Sequence, residues 1–140
     1  MSSPIAPSSP RSIDLLVVTP VGEVRDHSVP ARGTRLITTS NVLQALHELI
    51  GCSSVDVVRL TPEIDMWVDD EGLLGAHLPR INQLASYIAT RLGFPFQLYA
   101  GTAVFSGGVD EAGYTRSLSK AAWQELLDLI DELRGITGES

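Results

Sequence analysis

The sequence predicts a single α+β domain with a largely antiparallel sheet of about five strands and three helices, in the order ββαββαβα. Two observations carry the prediction. Five short runs, at 13–19, 23–29, 55–60, 64–69 and 96–105, are β-branched or alternate apolar with polar residues and end at Gly, Pro or Asp. Three longer stretches, near 42–50, 81–92 and 122–133, repeat apolar residues at helical spacing. A chain of 140 residues buries roughly two-thirds of its unfolded surface, so one core without disulfide staples suffices. The helices are expected to cover one face of the sheet.

Residues 1–11, rich in Ser and Pro, read as a flexible leader, residues 12–135 as the domain and residues 136–140 as a flexible C-terminus. The run Ile-Asp-Leu-Leu-Val-Val-Thr at 13–19 is nearly continuous in apolar character, as a central strand covered on both faces must be. Gly22 permits a reversal into a more polar second strand at 23–29, nearer the edge. Thr38, Thr39, Ser40 and Asn41 offer N-caps to a first helix with Val42, Leu43, Leu46, Leu49 and Ile50 as its apolar stripe, and Gly51 suits its end.

The runs at 55–60 and 64–69 flank Thr61-Pro62-Glu63 and should form a second hairpin. In the latter run Ile64, Met66 and Val68 alternate with Asp65, Trp67 and Asp69, the pattern of a strand with one buried and one solvated face. Asp70, Glu71 and Gly72 then make a turn. Pro79 is suited to opening a second helix with Ile81, Leu84, Ala85, Ile88 and Leu92 inward, which places Asn82 in its first turn. A long strand is expected at 96–105, with a bulge or a close backbone neighbour near Gly101. Ser117 or Ser119 caps the last helix, with Ala122, Trp123, Leu126, Leu127, Ile130 and Leu133 inward and Gly135 at its end. Leu46, Leu84, Ile88 and Leu126 are the core residues expected to be buried.

Composition excludes several function classes. Ten basic residues against seventeen acidic give a formal charge of −7, with Lys120 the sole lysine, so direct nucleic-acid binding through clustered cations is not indicated. No apolar run approaches the ~18 residues of a membrane span, and the first residues lack the basic start and apolar centre of a secretory signal. With Cys52 the single cysteine, the expected location is the cytoplasm.

The motif Met66-Trp67-Val68-Asp69-Asp70-Glu71-Gly72-Leu73, followed by Pro79 and Asn82 with Ala85, and then Gly101-Thr102-Ala103-Val104-Phe105, resembles a family of small domains of unknown function. The resemblance covers residues 43–119 and implies a genomic context, that of bacteriophages and conjugative elements of bacteria, without a transferable chemistry. Where the resemblance implies a glycine pair after the first helix, this chain has Gly51-Cys52.

Read as chemistry, the residues point away from catalysis. Asp65, Asp69, Asp70 and Glu71 are hard-oxygen donors, yet their spacing is not that of an EF-hand loop. His27, His47 and His77 share no zinc-ligand spacing, and no Gly-Lys-Ser or Gly-Lys-Thr follows a glycine loop, so neither metal nor nucleotide cofactor is expected. Cys52, at the negative end of the first helix, is expected to be a poor nucleophile. Asn82 is expected to satisfy local backbone groups. Trp67 is an exposed interface aromatic if its face of the strand is bare, and a core residue if a helix covers that face; a three-helix domain can do either. The resulting expectation is a non-enzymatic module with a protein partner, in one form an acidic DNA mimic, with Trp67 as anchor and Asp65 and Asp69 as its polar surround. The alternative is a divalent-metal-dependent hydrolase built on Asp69, Asp70 and Glu71.

Overall fold

In a computed structural model, residues 12–30, 39–52, 54–70, 81–111 and 113–137 are described. The expected turn at Glu71 and Gly72, the helix start at Pro79, His77, the leader, and residues 138–140 lie outside them. Five strands, β1 (Ser12–Val18), β2 (Val24–Pro30), β3 (Val55–Thr61), β4 (Ile64–Asp69) and β5 (Ala103–Ser106), and three helices, α1 (Thr39–Ile50), α2 (Gln83–Arg91) and α3 (Lys120–Thr137), follow the predicted order. All four pairings are antiparallel, in the spatial order β2-β1-β5-β4-β3. The two sequence-local hairpins, β1–β2 and β3–β4, are thus joined by β5 between them.

The helices cover both faces, which corrects the expectation of one. On one face α2 and α3 pack Leu84, Ile88, Leu126 and Ile130 against Leu16, Val18, Ile64, Met66 and Phe105. On the other, Val42 and Leu46 of α1 close over Ile13, Leu15, Val17, Val29 and Val104. The near-continuous apolar run of β1 is the direct result: odd residues feed one core and even residues the other, because successive side chains alternate. Leu46, Leu84, Ile88 and Leu126 are all buried, as expected.

Local chemistry sets the boundaries. Gly51, at φ 79°, ends α1 in the left-handed region that glycine adopts without penalty. Ser119 accepts the Ala122 N–H at 3.0 Å and caps α3. The helix runs through Gly135 to Thr137, two residues past its expected stop. Helix α2 begins at Gln83, so Asn82 is its N-cap rather than a member of its first turn. The strand expected at 96–105 is far shorter. Ala100 makes only an isolated bridge with Ile81, Gly101 turns at φ 82°, and regular pairing starts at Ala103. Beyond β5, Gly107 and Gly108 lie so close to the carbonyls of Ser117 and Pro62 that neither position has room for a Cβ.

Candidate binding cleft beside the β3 edge

Asn82 is hydrogen-bonded through both its side chain and its backbone, and it has no exposed surface. Its Oδ1 accepts the Ala85 N–H at 3.0 Å, satisfying one orphan donor at the start of α2. Its Nδ2 donates to the carbonyls of Val18 at 3.0 Å and Gly101 at 2.8 Å. Its backbone N–H donates to the Tyr99 carbonyl, and its own carbonyl accepts from the Ser86 hydroxyl, which in turn accepts the Tyr99 N–H. One amide therefore pins the start of α2 to the end of β1 and to the 99–101 segment. With every polar atom engaged and buried, Asn82 is a structural tie, and Gly101 supplies the carbonyl that the tie requires.

Asp65, expected on a solvated face, is 1% exposed. The alternation of β4 is real, but α1 covers the second face, and Asp65 sits opposite Ser106 in the ladder. Its carboxylate accepts from the Arg59 guanidinium at 3.2 Å. Burial pushes the Asp65 carboxyl above the usual range, and Arg59, itself largely exposed, pulls it back only in part. Trp67 is half-buried and, like Ala45, Leu49, Ile50 and Val55, packs against the core beneath α1. Its indole N–H donates to Ser106 Oγ at 2.9 Å. Helix α1 thus covers the face of β4 that carries Trp67 and leaves the ring partly exposed.

Asp69 and Asp70 end β4 as a half-buried and an exposed carboxylate. Both lie close enough to Cys52 to reinforce the effect of burial, which pushes that thiol above its ordinary value. Cys52 donates to the Ser54 carbonyl at 3.3 Å. Among the described residues, no three His, Cys, Asp or Glu side chains gather as a metal-holding group, and no helix is long and apolar enough to cross a membrane. The acidic face of α3 exposes Glu125, Asp128, Asp131 and Glu132, of which Glu132 is engaged by Arg91 of α2 in two bonds of 3.1 Å.

The sheet ends at β3, and there a cleft of about 540 Å³ opens. Residues Asp56 to Arg59 and Val68 to Asp70 form one side, and Phe94, Gln97, Leu98, Tyr99 and Ala100 the other. Burial, with Asp56 adding to it, raises the pKa of the Tyr99 hydroxyl. Phe96 and Leu98, in the segment forming the second wall, are 73% and 43% exposed. Of the residues singled out in the sequence, Asp69 and Asp70 reach this cleft; Asp65, Trp67, Asn82 and Gly101 do not line it. Sequence reasoning missed Asp56, Phe96 and Leu98. The signal for Phe96 and Leu98 was an apolar stretch after Pro95 without a clean period.

The family model of a domain of unknown function, DUF3846, matches residues 13–131, most of the chain. The chain belongs to this family. The match begins within β1 and ends within α3, so it takes in part of every strand and helix of the fold. No curated protein and no solved structure matches the chain.

Proposed function

We propose that this DUF3846 domain is a small non-enzymatic binding module, an accessory of a bacteriophage or other mobile element, that docks on a host or viral protein in the cytoplasm. The observation that carries the reading is the cleft beside β3, with exposed Leu98 on its apolar wall, exposed Phe96 two residues before it in the chain, and Asp56, Arg59, Asp69 and Asp70 on its polar wall. Single exposed apolar side chains are ordinary. Two of them, two residues apart beside a cleft with charged walls, have the anatomy of an interface: an apolar centre with a polar rim. The motif pattern around β4 and α2 supports the mobile-element context. Trp67 is half-buried against the α1 core with its indole N–H bonded to Ser106, so this reading takes its apolar centre from Phe96 and Leu98.

The test is a pull-down from host cells, with the enriched protein then purified and titrated by calorimetry against wild type and a Phe96→Ser/Leu98→Ser double variant. The reading expects at least tenfold weaker binding by the double variant at an unchanged melting temperature. Equal affinity would overturn it. Titration with Mg²⁺, Mn²⁺ and Zn²⁺ separates this reading from the hydrolase built on Asp69, Asp70 and Glu71, which requires tight stoichiometric binding.

A further inference from the structure

The phase of the β3–β4 ladder decides which backbone groups of β3 face outward. Asp70 N–H bonds the Ser54 carbonyl at 3.0 Å, and Ser54 and Asp70 continue the register in which Val55 pairs with Asp69. In an antiparallel ladder, hydrogen-bonded and non-bonded pairs alternate. Ser54, Asp56 and Val58 therefore bond to β4, and Val55, Val57 and Arg59 direct their N–H and C=O groups away from the sheet. The Val57 N–H confirms the phase: it donates to Oδ1 of its own neighbour Asp56 at 3.0 Å.

The opposite edge is built differently. The Thr19 N–H bonds the Glu23 carbonyl, which makes Val24, Asp26, Ser28 and Pro30 the outward positions of β2. Proline has no N–H, so β2 ends its outward row with a missing donor, a known guard against strand addition. Among the described residues, β3 has no proline between Val55 and Arg59, so its outward donors are all present; its guards are the Asp56 side chain on the Val57 N–H and the charged, irregular end at Arg59 and Thr61.

We infer that β3 is an acceptor edge, on which an extended basic segment of the partner protein adds as a sixth strand. This rests on the protein-binding reading of the cleft and names the chemistry of its partner. An incoming carbonyl replaces Asp56 at the Val57 N–H and releases the Asp56 carboxylate. Alternation then sorts the incoming side chains. Those on the same face as Asp56 meet its carboxylate, with Asp70 further along that face, and are lysine or arginine. Those on the α1 side meet half-buried Val55 and Val57, and are β-branched or apolar. A second copy of this chain is a poor occupant. Each copy carries −7, and twofold pairing about Val57 sets the Asp56 of one copy against Val58 of the other, with no cation opposite that carboxylate.

The probe is a blocked seven-residue peptide alternating lysine and valine, with a glutamate/valine peptide as the charge control. Calorimetry gives affinities, and amide exchange followed by NMR reports the edge. The inference expects the lysine peptide to bind at least tenfold more tightly than the glutamate peptide, to slow exchange at Val55, Val57 and Arg59, and to weaken with Asp56→Asn and with salt. Val57→Pro removes the outward donor while leaving every β4 bond in place, so it abolishes binding. If Val57→Pro fails to fold, N-methylation of the peptide's edge-facing amides removes the same bonds with the protein unaltered. Binding that survives both changes, without exchange protection at β3, overturns strand addition; if Phe96→Ser/Leu98→Ser still weakens the purified partner, the cleft reading stands alone. A concentration-dependent dimer lost in Val57→Pro also overturns it, by making a second copy the occupant.

Discussion

Replacing Asn82 by alanine removes three side-chain hydrogen bonds at a site with no access to water. Loss of the N-cap costs about 1 kcal/mol. The carbonyls of Val18 and Gly101 each lose a donor, at about 1–2 kcal/mol apiece for buried groups left short of a partner. The sum is about 3–5 kcal/mol, a large share of the 5–15 kcal/mol typical of a domain, and should lower the melting temperature by roughly 10–20 °C. Urea unfolding at constant slope reads the loss directly. Asn82→Asp separates the two halves of the argument. A carboxylate caps a helix as well as an amide and suits the positive end of the dipole, so a residue that only capped α2 would tolerate it. Here the second carboxylate oxygen would face two carbonyls, and the aspartate variant should be at least as unstable as alanine at neutral pH. Acid should partly restore it, since a protonated carboxyl can donate one hydrogen bond. An Asn82→Asp protein as stable as wild type would refute the tie between α2, β1 and Gly101.

The remaining predictions concern the two cores. Leu126→Ala should lower stability by about 2–5 kcal/mol, because Leu126 is fully buried between α3 and the sheet; an unchanged denaturant midpoint would count against that face. Trp67→Phe should cost about 1 kcal/mol for the lost bond to Ser106, and Trp67→Ala about 3 kcal/mol as the packing on α1 goes too, both measured by chemical denaturation. Asp65→Asn tests the buried carboxyl. Because the folded pKa lies above the unfolded one, the native state holds more protons between them, and wild-type stability falls as pH rises from about 3.9 through the folded value. The asparagine variant should lack that fall and be at least as stable at neutral pH; a profile identical to wild type would show that burial does not govern this group.

The elements legible in the sequence are those whose local and tertiary signals agree. β1 reads correctly because a strand with a core on each side must be apolar throughout, and α3 because Ser119 and the apolar stripe from Ala122 to Leu133 point the same way. The failures come from tertiary context. Phe96, Leu98 and Tyr99 have strand composition, yet they precede the φ of +82° at Gly101 and join no ladder. Asp65 has the look of a surface residue, and its burial opposite Ser106, with Arg59 across the hairpin as its ion partner, is set by the fold rather than by the local pattern. The candidate cleft was half legible. Asp69 and Asp70 are conspicuous in sequence, whereas the apolar wall opposite comes from a segment more than twenty residues away and is set beside β3 by the fold.

The placement of β5 has a consequence for the order in which the chain acquires its structure. Each hairpin closes a short loop and can form early, at little entropic cost. Neither hairpin touches the other within the sheet; four residues, Ala103–Ser106, pair with β1 on one side and β4 on the other. The contacts of Val17 with Val104, and of Trp67 with the same Val104, span the chain separations that make folding slow. Arrival of β5 between the hairpins is therefore the event that commits the chain. Conservative truncations such as Val104→Ala should slow refolding more than they speed unfolding, while truncations confined to the β2 edge should do the reverse.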